Sequence, residues 1–428
     1  MPVPVAPSSP SIIGRGLTEG ARLFREWFDR LDAAAEHGEP AAYVFVMGSL
    51  AELLRCFDFQ LVFPEINSLQ TAVRRVAHEY LNEAEDYGYS PDVCGYVKAD
   101  VAVQLRDGRH PMGRIPKPSI AVLTNACNTY VKWAEIWERL HGTPVFTLDV
   151  PGTRAAGDDD RPGDAGFARD VAYVADQIAE LIALCERVTG IRFDIDRLRA
   201  SLAYANEMNA CFRTLLDLNQ RAPAPFNAVT DGTVYLGVLN GLRGTPEGRA
   251  YFTDLLEEMW LKVDRHVGTV QQEAFRLVFV GVPCYPMFRR FSELFSERGG
   301  TFVSSTYLWF ASGGASGAWT YDLARPLESL AEGLLVSVRR AMDSMFFPDR
   351  ALAELVRPFR ADGVVYHAIK SCRTVSTGLA DARRAFSASC DVPSLFLESD
   401  MMDRRVISEA QLKNRVDAFF EGLAVRRP

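Results

Sequence analysis

The feature that most constrains this chain is an alternation that occurs twice: short apolar runs, bounded by Gly, Pro or polar residues, separated by stretches long enough to be helical. A strand buried on both faces reads as a nearly continuous apolar run, and a parallel connection needs a long crossover. Such an alternation therefore specifies parallel sheets covered by helices. In the first half the predicted strands are Tyr43–Met47, Ser119–Thr124 and Val145–Asp149; in the second they are Leu277–Val282, Thr301–Thr306, Gly363–Ala368 and Ser394–Glu398. A length of 428 residues exceeds what one core usually serves,. The fold class is α/β: two doubly wound, Rossmann-like parallel-sheet lobes with a helical connector and right-handed crossovers.

The helices follow from spacing. Ser68 is expected to cap a helix carrying Leu69, Val73, Val76, Tyr80, Ala84 and Tyr87 on one face,. The polar, Gly-rich stretch after Pro151 reads as an exposed loop,. Beyond it, one helix carries Val171, Val174, Ile178, Leu181 and Cys185, and a second starts near Asp194 or Asp196 and carries Leu198, Leu202, Ala205, Met208, Phe212 and Leu215,. A last helix is expected from Glu409 to Leu423. The implied division is 1–40, an N-terminal tail and helix; 41–160, the first lobe; 161–270, the mainly helical connector; and 271–428, the second lobe with its C-terminal helix.

Several function classes are excluded at this stage. The net charge of −8, without a clustered basic surface, argues against nucleic acid,. No apolar run approaches the roughly 20 residues needed to cross a membrane. The Pro/Ser-rich start, Met1 to Ile13, lacks the pattern of a signal peptide and reads as a loose tail,. The eight cysteines are then expected as reduced thiols in the cytoplasm, with metal, cluster or nucleophile roles open to them,. The sequence has no GxxxxGK[ST] loop, no GxGxxG after a strand and no GxSxG elbow,.

Open parallel sheets bind ligands outside the carboxyl ends of their strands. That rule sorts the cysteines. Cys127 follows a predicted strand through the turn NAC, Cys372 follows one through IKSC, and Cys284 follows one through PC. Cys94 sits in the loop GYSPDVCGY. Cys185 and Cys211 lie on or beside apolar helical stripes, where a thiol acts as a small hydrophobe, and Cys390 lies at the start of a strand, at the far edge,. Cys56 reads as a core residue or an extra thiolate reaching the crevice. No CxxC pair, HExxH or ferredoxin-like run is present, so spacing alone leaves buried thiols and a cluster with distant ligands both open,.

The motifs GYSPDVCGYVKAD (88–100), LTNACNTYVKW (123–133), PVFTLDVP (144–151), ADGVVYHAIKSC (361–372) and PSLFLESDMMDRR (393–405) together resemble the 2-hydroxyacyl-CoA dehydratase and benzoyl-CoA reductase family over nearly the whole chain. Within it, CFDFQLVFPEINSLQ (56–70) and the YVKAD and IKSC variants are most similar to the B-type subunit of ATP-dependent benzoyl-CoA reductase. The resemblance implies a 4Fe-4S cluster between the lobes, held by Cys94, Cys127 and Cys372. Cys284 and Cys56 lie outside the shared motif and are candidates for a fourth ligand by position alone, the alternative being an open iron site that takes water or a substrate oxygen,. It implies dearomatising reduction of an aromatic acyl-CoA in anaerobic aromatic degradation. The partners it implies are a homologous cluster-bearing subunit and ATP-hydrolysing, electron-activating subunits, since no nucleotide loop lies in this chain. Alternatives are radical dehydration of a 2-hydroxyacyl-CoA, or an electron-relay or binding subunit without chemistry of its own. Ring protonation needs a positioned acid, and His367, Lys370, Glu65 and Glu398 are candidates by position,.

Overall fold

The computed structural model describes residues 13–152, 162–346, 352 and 354–426. Nearly all of the expected N-terminal tail and most of the loop after Pro151 lie outside the described residues. Two four-stranded, wholly parallel sheets form the lobes. The first contains β1 (Ala41–Val44), β2 (Gln60–Val62), β3 (Ile120–Thr124) and β4 (Val145–Leu148); the second contains β5 (Phe275–Val280), β6 (Gly300–Ser305), β7 (Gly363–Ile369) and β8 (Ser394–Ser399). Their orders, β2-β1-β3-β4 and β6-β5-β7-β8, are the same topology used twice. Each sheet reverses direction between its first and third strands, and a crevice opens there.

The apolar runs behave as the alternation requires. β3 is buried along its whole length, as is β6, and neither has an outward polar face,. Between the sheets run Ala165–Thr189 and Ile195–Leu218, the latter capped by the Asp194 carboxylate, which accepts from the N–H of Asp196 and Arg197,. Thr230–Gly241 and Pro246–Asp264 follow. Cys185 is fully buried on its stripe, as a small hydrophobe is,.

Two expectations are corrected. The helix assigned to Ser68 is two helices, Pro64–Val73 and Ala77–Asp86, broken where Arg75 takes a left-handed φ of 65°. Ser68 lies inside the first and donates to the Tyr96 carbonyl at 2.8 Å rather than capping; the start is set by Pro64, whose missing N–H costs nothing at a first helical position,. Val73 and Tyr87, placed on the apolar face by their spacing, are exposed, each standing at the C-terminal end of its own helix rather than on one continuous face. The second correction is β2, a three-residue edge strand too short to give a periodic signal.

The lobes are joined by charge and by close approach. Arg405 of the second lobe reaches Glu85 of the first at 2.7 Å, and Lys98, almost wholly buried, donates to the same carboxylate at 2.8 Å. The guanidinium of Arg405, with the Lys98 ammonium, holds the Glu85 carboxyl down at about 2, against partial burial,. Gly95 packs so tightly that a Cβ there would sit 2.7 Å from Cβ of Met402 and 3.2 Å from Oγ of Ser371.

Candidate functional site between the lobes

Cys127 and Cys372 occupy equivalent places in the two lobes: each lies three residues beyond the third strand of its sheet, at the reversal point, and each is the residue before a helical segment. Cys94 likewise precedes the helix Gly95–Leu105. The three half-buried side chains line one cavity of about 70 Å³ between the lobes, several times the room a single water needs. The lobes touch there: Sγ of Cys127 is 3.3 Å from Oγ1 of Thr374, and that hydroxyl donates to Oδ1 of Asn128 at 2.8 Å.

Packing holds the thiols at these positions. Asp100, on the helix that Cys94 leads, accepts the indole N–H of Trp133 and of Trp137, both at 2.7 Å and both on the helix Asn128–His141 that Cys127 leads. Phe45 stacks on Tyr130 with ring centroids 3.7 Å apart. In the second lobe the Asp400 carboxylate accepts from the backbone of Ser371, Met402 and Asp403 at 2.8–2.9 Å, tying the loop of Cys372 to the end of β8.

Burial pushes all three thiols up, Cys372 to about 12, and their neighbourhood adds to it: Cys372 opposes ionisation of Cys94, and Cys127 that of Cys372,. Backbone N–H groups of Tyr96 and Val97 at Cys94, of Thr129 at Cys127, and of Thr374 and Val375 at Cys372 work the other way. Three thiols whose thiolate forms repel one another, with amide donors already aimed at sulfur, suit a multiply charged metal group. Among the described residues no three His, Cys, Asp or Glu surround a single ion. A four-iron cluster needs thiolates on different irons and hence a wider spread of donors than a mononuclear shell. The donor chemistry fits such a group.

The other candidates separate clearly. Glu65 is on the cavity wall, accepting from the Tyr130 hydroxyl at 2.7 Å and the Val46 N–H at 2.9 Å; burial raises its carboxyl to about 7 in spite of both bonds. His367 is not on a loop end. It lies within β7, fully buried, one ring nitrogen 2.6 Å from the Val282 carbonyl and the other 2.6 Å from Oγ of Ser399, and burial lowers its pKa. Lys370 and Glu398 pair with each other at 3.2 Å on the surface, both more than half exposed, away from the cavity. Neither cysteine considered as a fourth ligand lines it. Cys284 is buried, raised to about 11 by burial against a hydrogen bond with Ser399, and Cys56 is buried in the turn Arg55–Phe57 with its thiol toward the Glu52 carbonyl.

The comparison with known proteins decides the family. The model for the 2-hydroxyglutaryl-CoA dehydratase D-component matches residues 49–423. The chain belongs to this family. It is 30% identical to the B-type subunit of benzoyl-CoA reductase from Thauera aromatica, over 94% of this chain and 92% of that one. It is 24% identical to the (R)-phenyllactyl-CoA dehydratase alpha subunit of Clostridium sporogenes, over 88% of each. With the (R)-2-hydroxyglutaryl-CoA dehydratase alpha subunit of Acidaminococcus fermentans it shares 23%, over 97% of this chain and 98% of that one. Among the described residues of this 2-hydroxyglutaryl-CoA dehydratase family member, no helix is long and apolar enough to cross a membrane.

Sequence reading missed the cavity's tyrosines. Tyr96, Tyr130 and Tyr307 line it, and Tyr285 stands behind Tyr307. Their signal was position: Tyr96 is two residues after Cys94, Tyr130 three after Cys127, Tyr285 directly after Cys284, and Tyr307 follows the end of β6. The thiol cavity also has a larger neighbour. An apolar cavity of about 360 Å³, a volume typical of small-molecule sites, shares Val46, Ile66, Leu69 and Tyr307 with it,. This in turn shares Val73, Phe288 and Arg289 with an open cleft of about 900 Å³ that also carries Arg75, His78, Arg290 and Arg404.

Proposed function

We propose that this chain is the iron–sulfur subunit of a benzoyl-CoA-type reductase, with Cys94, Cys127 and Cys372 holding a 4Fe-4S cluster. The observation that carries the reading is the convergence of three cysteines, distant in sequence, on one cavity beside an apolar chamber. When bound, the cluster supplies a low-potential electron. The chain's own residues do the rest. The apolar chamber takes the acyl group, and the arginine-bearing cleft takes the anionic CoA tail, with Arg289 at the junction of the two,. The apolar walls keep water from a strongly reducing site, and Glu65 is the acid placed to deliver a proton beside the acyl group,. ATP is hydrolysed by separate electron-activating subunits, and a homologous cluster-bearing subunit completes the complex.

The dehydratase alpha subunits among the relatives favour a second reading, radical elimination of water from a 2-hydroxyacyl-CoA. Anaerobic purification of the complete complex, iron and sulfide analysis, and turnover of benzoyl-CoA against a 2-hydroxyacyl-CoA separate the two. A reductase consumes two electrons per product, whereas a dehydratase returns the one it borrows. Iron-free, colourless protein overturns both.

A further inference from the structure

Three tyrosines from three separate segments meet where the cavities join. The Tyr285 hydroxyl donates to the Tyr307 hydroxyl at 2.9 Å. Tyr307, having accepted that bond, still has its own proton to give, and it lines both the thiol cavity and the apolar chamber. Tyr96 lines the thiol cavity and is only 8% exposed. Its buried hydroxyl stands near those of Tyr285 and Tyr307, yet it makes no well-formed hydrogen bond among the described residues. A buried O–H whose neighbouring hydroxyls are already bonded to each other is poorly satisfied, which is costly and rare, and an acceptor on a bound molecule would complete it,.

The chemistry of that acceptor is restricted. No Lys or Arg lines the thiol cavity, so an anionic phosphate or carboxylate has no counter-charge there. A neutral oxygen with two lone pairs suits two O–H donors. We propose that the hydroxyls of Tyr96 and Tyr307 form a two-donor oxyanion site for the carbonyl oxygen of the bound thioester, with Tyr285 positioning Tyr307. This rests on the reading that an acyl-CoA occupies the apolar chamber.

Addition of one electron to a conjugated thioester breaks no bond and moves no proton. It leaves a radical anion whose charge gathers largely on the carbonyl oxygen, and the electron comes from a low-potential one-electron donor of the complex. Hydrogen bonds aimed at that oxygen strengthen as the charge develops, so they favour the charged state over the neutral thioester. The bond from Tyr285 polarises the Tyr307 O–H and makes it a better donor.

The test uses the anaerobically purified complex, carbonyl-13C benzoyl-CoA, and S-benzyl-CoA, in which a methylene replaces the carbonyl. In the wild type the bound C=O stretch is expected to fall below its value in water. Tyr96→Phe and Tyr307→Phe each remove part of that fall and weaken benzoyl-CoA binding by about tenfold, as loss of one hydrogen bond to a buried acceptor does. Neither variant changes S-benzyl-CoA binding by more than about twofold. Tyr285→Phe keeps both donors and gives a smaller fall in the same direction. Equal weakening of thioester and thioether, or an unmoved C=O stretch in both donor variants, overturns the tyrosine site while leaving the acyl-CoA reading intact. Failure of the wild type to bind either compound overturns the acyl-CoA reading, and the tyrosine site with it.

Discussion

Asp100 is the joint between the helices that Cys94 and Cys127 lead, and Asp100→Ala tests how the thiols are held. Its Oδ2 accepts two indole N–H groups at 2.7 Å and its Oδ1 accepts the Gln104 amide at 3.0 Å, all at a residue 1% exposed. Alanine leaves two buried indole N–H groups without an acceptor and the Gln104 amide with the Tyr43 hydroxyl alone. At about 1–3 kcal/mol for each orphaned group, and allowing for relaxation of the pair of indoles, the expected loss is about 3–6 kcal/mol. Urea unfolding of the whole chain reads this as a lower midpoint at unchanged slope. Titration gives a second, independent signature. Burial raises the Asp100 carboxyl from an ordinary 3.8 to about 6, against the bonds from Trp133, Gln104 and Trp137. The folded state therefore binds this proton more tightly than the unfolded chain does. The corresponding stabilisation is complete below the ordinary carboxylate range and is lost as pH rises through about 6. The amount at stake is about 3 kcal/mol over that window. Asp100→Asn, with nothing to titrate there, is expected to flatten this slope. An Asp100→Ala chain within about 1 kcal/mol of the wild type, or an Asp100→Asn chain with the wild-type pH dependence, refutes the reasoning.

Further outcomes follow from the same geometry. Alanine at Cys94, Cys127 or Cys372 is expected to abolish stable iron and sulfide incorporation after anaerobic reconstitution, whereas alanine at Cys56 or Cys284, which lie off the cavity, leaves the iron content near the wild-type value. Gly95→Ala places a methyl group 2.7 Å from Cβ of Met402, a contact that only movement of the lobes relieves; a thermal melt should show a loss of about 1–3 kcal/mol, accompanied by poorer iron retention,. Glu65→Gln keeps the shape and the bond from Tyr130 but removes the transferable proton, so turnover by the complete complex should fall by about a hundredfold or more with iron content unchanged,.

Much of this molecule was legible without coordinates. The apolar runs of β3, β5 and β7 declared parallel strands because a strand covered on both faces has no room for polar alternation, and the strand-end rule placed Cys127 and Cys372 beside the crevice,. The family was legible in the motifs around the same cysteines, and the match over residues 49–423 agrees. Local spacing failed where long-range contacts decide. Nothing near Ser68 announces that its hydroxyl serves the Tyr96 carbonyl, and although the predicted strand Gly363–Ala368 contains His367, nothing in YHAIK shows that this residue is covered on both sides.

The amino-acid order by itself therefore determined the class of fold, the family and which cysteines stand at strand ends, because periodicity and turn chemistry act over a few residues. Only the tertiary structure decided that Cys94, Cys127 and Cys372 share one cavity, that Cys56, Cys284, His367 and Lys370 do not line it, and that the Tyr96 hydroxyl arrives there without a well-formed hydrogen bond among the described residues. Those outcomes depend on how two separately wound sheets dock, through Gly95 against Met402 and Arg405 against Glu85, and on the direction in which each side chain leaves its element. No local pattern carries that information, since the groups that meet lie hundreds of residues apart along the chain.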